Sequence, residues 1–184
     1  EKWFEDYEVF EQDDTDENYT AINARNEEFQ GSQMPESPTD SFKDKPWFLH
    51  SVYSKSLIYD QRGRIKGGTR DALVEHLTSH EVIDAWFNVT MLMTFRSMFT
   101  TRDFLYALVY RYNLYPPEGL SYDEYNLWIE KKLNPIKSRV INIMRSLFSQ
   151  YWSPAYYEPG LSATINFAQM AVSENQPGAQ ELYD

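Results

Sequence analysis

Residues 65–104 constrain the fold of this 184-residue chain more than any other stretch. Near its start lie Gly67 and Gly68, and two adjacent glycines indicate a positive φ or a close approach of two backbone segments. Thr69 follows as a predicted helix N-cap, because its hydroxyl can accept a hydrogen bond from an unpaired amide of the first turn. The stretch then predicts three helices: an amphipathic one over residues 70–79, an apolar one, and a third that restarts after a further cap.

The second of these helices is apolar over most of its circumference. It is about 14 residues long, which is too short to cross a bilayer. We therefore expect a buried central helix that packs on all sides. Its large apolar residues are Ile83, Trp86, Phe87, Met91 and Phe95.

The net charge of −11 is concentrated at one end of the chain. Residues 1–40 hold 13 acidic and two basic residues, and the remainder is balanced with 15 of each. Without a basic patch, nucleic-acid binding is not expected. The chain has no cysteine, which excludes disulfides and thiolate metal sites. No apolar run is long enough to span a bilayer and no signal peptide is evident, so we expect a soluble, intracellular protein without direct membrane insertion.

Residues 1–45 are predicted to form an acidic, disordered tail. The segment has few aliphatic side chains, so it cannot bury enough apolar surface to offset the entropy lost on ordering. Aromatic residues are interleaved with the acids, and the alternative interpretation is a short docking motif that folds onto a basic groove of a partner. These aromatic residues are Trp3, Phe4, Tyr7, Phe10 and Tyr19.

A small β hairpin is predicted ahead of the first helix. Residues 46–49 (PWFL) indicate an extended segment anchored to the core. Alternating β-formers over residues 56–59 and 64–66 then flank a four-residue loop that ends in Gly63.

Three more helices are predicted after a proline-containing break. Ser121 and Glu124 form the S-x-x-E pattern of a capping box, which opens a helix over roughly residues 122–133. Apolar residues at 3–4 spacing place a fifth helix near 136–151, and a weaker sixth spans about 162–172. The fourth helix is expected to turn Tyr125, Trp128, Ile129 and Leu133 inward.

Together these elements predict an all-α fold. We expect an irregular, orthogonal bundle of about five to six helices over residues 46–172, with a small N-terminal β hairpin. The acidic tail would precede this domain, and residues 173–184 would form a polar linker. The expected core residues are Leu73, Leu77, Phe87, Leu92, Phe95, Phe99, Leu105 and Leu108.

The sequence contains no pattern typical of an active site. His76 and His80 have the i, i+4 spacing of a helical zinc site, but the H-E-x-x-H order is missing, so we interpret them as helix-surface residues and expect no metal. Gly67-Gly68-Thr69 lacks the spacing and the lysine of a phosphate-binding loop. No nucleophile motif is present either, so we expect neither catalysis nor a cofactor.

Two runs of residues resemble a known family. The first joins Gly68-Thr69 to Leu73-Val74 and Leu77, and the second extends from Phe87 to Thr101 (FNVTMLMTFRSMFTT). Both are similar to the N-terminal domain, or Ras exchanger motif, of Ras-family guanine-nucleotide exchange factors. The resemblance continues to about Tyr157, and residues 46–68 look most like the fungal cell-division-cycle branch.

This resemblance implies a non-catalytic helical domain. In the family, such a domain packs on a separate catalytic domain of the same polypeptide and stabilises the helical hairpin that releases nucleotide from Ras. The resemblance also implies a cytoplasmic protein, peripheral at the inner face of the plasma membrane, that acts in small-GTPase signalling and cell division.

One branch of the family also binds a Ras-family GTPase at an allosteric site on this domain. The L-R-V-L-N-V segment of that site is similar to residues 138–143, where Arg139 and Asn142 are retained and Ser138 replaces a leucine. The loss of an apolar anchor removes about 1–3 kcal/mol of interface energy. The other expected partner contacts are the aromatic residues Trp47, Phe48, Tyr156 and Tyr157.

A different function is also compatible with the sequence. Under this alternative, the chain is an adaptor or an autoinhibitory module that docks a basic partner through the acidic and aromatic residues 1–20. Deletion of these residues separates the two hypotheses, because only the adaptor would lose its partner.

Overall fold

The computed structural model describes residues 45–151 and 153–184, with the backbone alone for residues 154–159. Helices dominate these residues, and one two-stranded antiparallel sheet precedes them, so the predicted all-α class with a small hairpin is confirmed. The elements are β1 (Leu57–Tyr59), β2 (Ile65–Gly68), α1 (Arg70–Leu77), α2 (Ala85–Thr94), α3 (Thr101–Tyr112), α4 (Tyr122–Trp128), α5 (Asn134–Gln150), α6 (Pro154–Ser173) and α7 (Ala179–Tyr183). Within this part of the chain, no helix has the length and apolar character needed to cross a membrane.

The hairpin owes its shape to glycines. Leu57 of β1 pairs with Gly68 of β2, and a Cβ at position 68 would lie 2.7 Å from the backbone oxygen of Ser56. This is the close backbone approach that the sequence predicts. Gly67 has open space around its α-carbon, whereas Gly63 in the connecting loop has a φ of +74°, which favours glycine.

Side-chain caps open the helices where the sequence predicts them. The Thr69 hydroxyl accepts a hydrogen bond from the Ala72 amide at the start of α1. At α4, Ser121 and Glu124 form a complete capping box, in which each side chain accepts a hydrogen bond from the other residue's backbone amide. These caps satisfy amides of the first turns, which have no partner within their own helices.

The fourth and fifth helices are joined without a break. A π-helical turn over Ile129–Leu133 connects α4 to α5, and Pro135 is the second residue of α5. Trp128 is buried as predicted, but Tyr125 is 41% exposed, so its predicted inward orientation is wrong. A tyrosine at a helix surface keeps its hydroxyl in water while its ring covers apolar atoms.

The main core lies between α1, α2, α3, α5, α6 and α7. Phe95 and Phe104 stack at its centre, with ring centroids 4.3 Å apart. A smaller cluster, formed by Phe48, Leu49 and Trp128, attaches the segment ahead of the hairpin to the end of α4. All eight residues expected in the core are buried: Leu73, Leu77, Phe87, Leu92, Phe95, Phe99, Leu105 and Leu108.

The C-terminal part is more ordered than the sequence suggests. Helix α6 covers Pro154–Ser173 and thus starts well before residue 162, because a proline in the first turn is already preorganised for a helix. The segment 173–184, expected to be a linker, contains α7, which buries Ala179 in the core. Arg145 and Glu181 add a salt bridge of 3.0 Å between α5 and α7. A connection from this segment to a further domain stays a prediction.

Candidate partner-binding surface

Helix α2 is buried on only one side, so the expectation of a fully buried central helix is wrong. Phe87, Met91 and Leu92 face the core. The opposite side exposes large apolar residues, with Trp86 72% and Met93 60% exposed. We call this surface the α2 face, and it comprises Val82, Ile83, Trp86, Val89 and Met93.

The α2 face is apolar because its polar groups are used within the helix. Residues 85–94 contain no charged side chain. The hydroxyl of Thr90 donates to the Trp86 carbonyl oxygen at 2.9 Å, and that of Thr94 donates to the Thr90 carbonyl oxygen at 2.7 Å. Both threonines therefore present methyl groups outward. Large apolar side chains exposed together on one side of a helix mark an interaction site more often than an ordinary solvated surface.

A groove of about 280 Å³ continues this surface between α2 and α5. Val89 and Leu92 line it on one side, and Arg139 and Asn142 line it on the other. Two of the three predicted GTPase contacts thus lie beside the α2 face. The third, Ser138, is half-buried on α5 next to Arg139.

Of the predicted aromatic contacts, Trp47 and Phe48 do not line this groove. Trp47 is 61% exposed, but Phe48 is only 3% exposed, so Phe48 belongs to the small core cluster and cannot be a surface contact. The 3₁₀ turn Trp47–Leu49 explains the difference, because it points successive side chains in different directions. The side chains of Tyr156 and Tyr157 lie outside the described residues.

The two histidines on and after α1 have structural partners. The Nε2 atom of His80 lies 2.8 Å from the Leu49 carbonyl oxygen, and burial lowers the pKa of His80. His76 lies edge-on to Phe87, and its Nε2 atom is 3.4 Å from the nearer Asp84 oxygen. Among the described residues, no group of three His, Cys, Asp or Glu side chains has the arrangement of a metal site.

A buried charge network was missed by the sequence analysis. Glu75 of α1 and Arg111 of α3 are both less than 10% exposed, and their closest charged atoms are 3.7 Å apart. Arg111 also donates from Nε to the Thr78 hydroxyl at 3.0 Å. The sequence does indicate a buried arginine, because Arg111 follows the buried Leu108 by three residues and therefore lies on the apolar stripe of α3.

Comparison with known proteins identifies the family. The RasGEF N-terminal motif model matches residues 64–167, which is more than half of the chain. The chain belongs to the RasGEF N-terminal motif family. Its helices α1–α5 lie within the matched range.

Proteins of Saccharomyces cerevisiae and Candida albicans are among the relatives of this RasGEF N-terminal chain. The chain is 59% identical over 99% of its length to cell division control protein 25 of Saccharomyces cerevisiae, and it covers 11% of that protein. It is 50% identical over 78% of its length to the guanine nucleotide exchange factor SDC25 of Saccharomyces cerevisiae strain YJM789, covering 12% of it. A cell division control protein 25 of Candida albicans is 48% identical over 68% of the chain, which covers 10% of it. The chain thus spans about a tenth of each of these relatives.

Proposed function

We propose that this chain is the accessory, non-catalytic region of a Ras guanine-nucleotide exchange factor, acting in small-GTPase signalling. Its role is to pack on the catalytic exchange domain of the same polypeptide and to hold that domain in an exchange-competent conformation. The relatives include a guanine nucleotide exchange factor, which supports the proposal that this chain contributes to nucleotide exchange. The acting protein would be cytoplasmic and peripheral at the inner face of the plasma membrane.

The single observation that supports this role most strongly is the α2 face. Trp86 and Met93 are each at least 60% exposed, and no charged residue of α2 interrupts the surface. Burying large apolar side chains of this kind gives about 1.5–3 kcal/mol for each residue. Burial of the α2 face can therefore stabilise the contact with a second domain.

The groove beside the α2 face is the proposed site for a Ras-family GTPase. Arg139 and Asn142 border this groove, and the apolar Val89 is shared by the groove and the α2 face. A polar border around an apolar centre is typical of transient protein interfaces. Because Ser138 offers no apolar anchor, we expect this allosteric site to bind the GTPase weakly.

The experiment is fluorescent-nucleotide release from Ras. It compares three samples: this chain, the catalytic domain alone, and the two joined in one polypeptide. We expect no release by this chain and faster release by the joined protein than by the catalytic domain alone. Release by this chain alone would contradict the proposal, because exchange would then come from a region that we consider non-catalytic.

Single substitutions test which surface is responsible for the faster nucleotide release of the joined protein. Trp86→Glu places a charge on the α2 face and should reduce the gain in release rate by about tenfold, since it removes roughly 1.4 kcal/mol or more of interdomain contact. The matched control is Tyr122→Glu, because Tyr122 is 79% exposed and lies outside the α2 face. Arg139→Ala should alter release only when Ras·GTP is added. Equal effects of Trp86→Glu and Tyr122→Glu would refute the assignment of the α2 face.

The adaptor or autoinhibitory alternative depends on the acidic N-terminal residues, which lie outside the described part of the chain. Deletion of residues 1–20 tests it directly. The scaffold role predicts unchanged nucleotide release after this deletion, whereas the adaptor role predicts the loss of partner binding.

A further inference from the structure

The outer side of the β hairpin exposes an isoleucine. Leu57 of β1 and Ile65 of β2 pack against the main core. Successive side chains of a strand point to opposite sides, so Ile58 and Lys66 lie on the outer side of the hairpin. Ile58 is 60% exposed, and its cross-strand neighbour Gly67 has no side chain that could cover it.

Basic residues accompany this isoleucine. Residues 55–66, which cover most of the hairpin and part of the 3₁₀ turn ahead of it, hold four bases and one acid. Their net charge is therefore +3, although residues 41–184 are balanced as a whole. The expected absence of a basic patch thus does not extend to the hairpin.

Three of the four bases carry an uncompensated charge. The one acid of this segment, Asp60, pairs with Arg64 at 2.9 Å. The other bases are exposed and have no ion-pair partner within the described part of the chain: Lys55, Arg62 and Lys66. We call the surface formed by these four bases and Ile58 the hairpin face.

The residue types of the hairpin face favour a lipid surface. Lysine is depleted at protein–protein interfaces, yet two of the four bases are lysines. An aliphatic side chain gains little on a phosphate backbone, which makes a nucleic acid a poor match for Ile58. At a bilayer, lysine and arginine hold their charged ends at the headgroups while an apolar neighbour enters the acyl boundary. Tyr59, the next residue of β1, is 53% exposed, and tyrosine is enriched at this depth of a membrane.

We propose that the hairpin face binds the surface of an anionic lipid bilayer. Ile58 would enter the boundary between headgroups and acyl chains, while Arg62 and Lys66 would contact the negatively charged headgroups. The hairpin lies on the bilayer and does not cross it. This inference concerns a surface that the proposed scaffold role does not use. Vesicle binding is measured without Ras or a catalytic domain, so its failure is distinguishable from failure of the scaffold role.

The negative net charge of the chain does not exclude this contact. At physiological ionic strength, interactions between exposed charges are screened beyond about 8 Å. Only charges close to the bilayer therefore contribute, and the hairpin face supplies positive ones. The charge at the contact, and not the −11 of the whole chain, determines the sign of the interaction.

The test is sedimentation of the 184-residue chain with lipid vesicles. One set of vesicles contains phosphatidylcholine with about 30% phosphatidylserine, and the other contains phosphatidylcholine alone. We expect binding to the anionic vesicles only, and weaker binding when the salt concentration is raised from about 0.1 M to about 0.5 M. Equal binding to both sets would overturn the proposal, because the basic residues would then make no contribution.

Charge variants test whether the hairpin face makes the contact. Arg62→Gln and Lys66→Gln should each lower the vesicle affinity about fivefold, since each removes one positive charge from the contact. Lys131→Gln is the matched control, because it removes the same charge from the exposed surface of the π-helical turn and should leave the affinity unchanged. An equal effect of Lys131→Gln would overturn the assignment, because binding would then respond to the net charge alone.

An apolar variant tests the insertion of the isoleucine. Ile58→Ser should lower the affinity for anionic vesicles about tenfold and leave its salt dependence unchanged. Ile83→Ser is the matched control, since Ile83 is 56% exposed and lies on the α2 face. Circular dichroism checks that both variants fold, and the charge variants decide if Ile58→Ser does not. An equal or larger effect of Ile83→Ser would overturn the proposal, because the bilayer would then contact the α2 face.

Soluble polyanions separate a bilayer from other acidic partners. Poly-L-glutamate represents an acidic protein segment, and a single-stranded oligonucleotide represents a nucleic acid. The proposal requires anionic vesicles to bind more tightly than either polyanion at the same salt concentration, because only the vesicles can bury Ile58. Binding of a polyanion that depends on Arg62 and Lys66, without binding to vesicles, would assign the hairpin face to that class of macromolecule and overturn the assignment to a bilayer.

Discussion

Replacement of Arg111 by methionine should destabilise the fold strongly. Methionine keeps the apolar stem but removes the guanidinium, and so leaves the Glu75 carboxylate buried without its counter-charge. Glu75 is 7% and Arg111 is 9% exposed at the side chain, so water cannot replace the lost partner. Breaking a buried ion pair in this way costs about 3–5 kcal/mol.

The double variant Glu75→Met, Arg111→Met separates this cost from a simple packing defect. With both charges removed, we expect about 2 kcal/mol of the stability lost in Arg111→Met to return, because apolar replacements of a buried pair are often neutral. Recovery is incomplete, since the Tyr53 amide loses its acceptor at a cost of about 1 kcal/mol. Thr78 is not left unsatisfied, because its hydroxyl still donates to the Val74 carbonyl oxygen at 2.8 Å.

The free energies of unfolding are measured by urea denaturation, followed by circular dichroism. Their dependence on urea concentration should be the same for all variants. Arg145→Met is the matched control, because Arg145 pairs with Glu181 at 3.0 Å on the surface and should contribute less than about 1 kcal/mol. The reasoning is refuted if Arg111→Met costs no more than Arg145→Met. It is also refuted if the stability lost in the double variant equals the sum of the losses in Glu75→Met and Arg111→Met alone.

Two further predictions concern His80 and the hairpin. Burial lowers the pKa of His80 in the folded state, so the unfolded chain binds the proton more readily. The stability should therefore be fully present above about pH 6.5 and fall as the pH drops below that value. His80→Gln should flatten this pH dependence in urea titrations between about pH 5 and pH 8. Gly68→Ala should lower the stability by about 1–3 kcal/mol, because the new Cβ would meet the Ser56 backbone oxygen at 2.7 Å. Gly67→Ala is the control and should change the stability by less than about 1 kcal/mol, because the space around Gly67 is open. Equal effects of the two substitutions in thermal melts would contradict the close approach.

Local chemistry made much of this fold predictable. Thr69 and Ser121 act within one helical turn, so their capping roles follow from the identity of a few neighbouring residues. The buried stripe of α3 likewise follows from the 3.6-residue period, which any single helix displays. The sequence predicted a close backbone approach at the pair Gly67 and Gly68, and only Gly68 makes one.

The α2 face and the buried Glu75–Arg111 pair were not predicted, because both depend on tertiary neighbours. Helix α2 is apolar on both sides, and its sequence does not state which side the rest of the domain covers. This pattern predicted a helix that is buried on all sides within its own domain. A helix that binds a partner with one of its sides has the same pattern. Glu75 and Arg111 lie on different helices, and only the packing of α1 on α3 brings their charges together.

The contacts of the segment ahead of the hairpin show where this fold begins. The ammonium group of Lys132, in the π-helical turn, donates to the carbonyl oxygens of Phe48 and His50 at 3.2 and 2.7 Å. Tyr53 supplies the amide that satisfies Glu75. The match to the family model, however, starts at residue 64. A chain trimmed to the limits of that similarity would lose β1 and leave a buried ammonium and a buried carboxylate without these partners. The compact unit of this chain, which begins at Lys45, therefore extends ahead of the start of the family match.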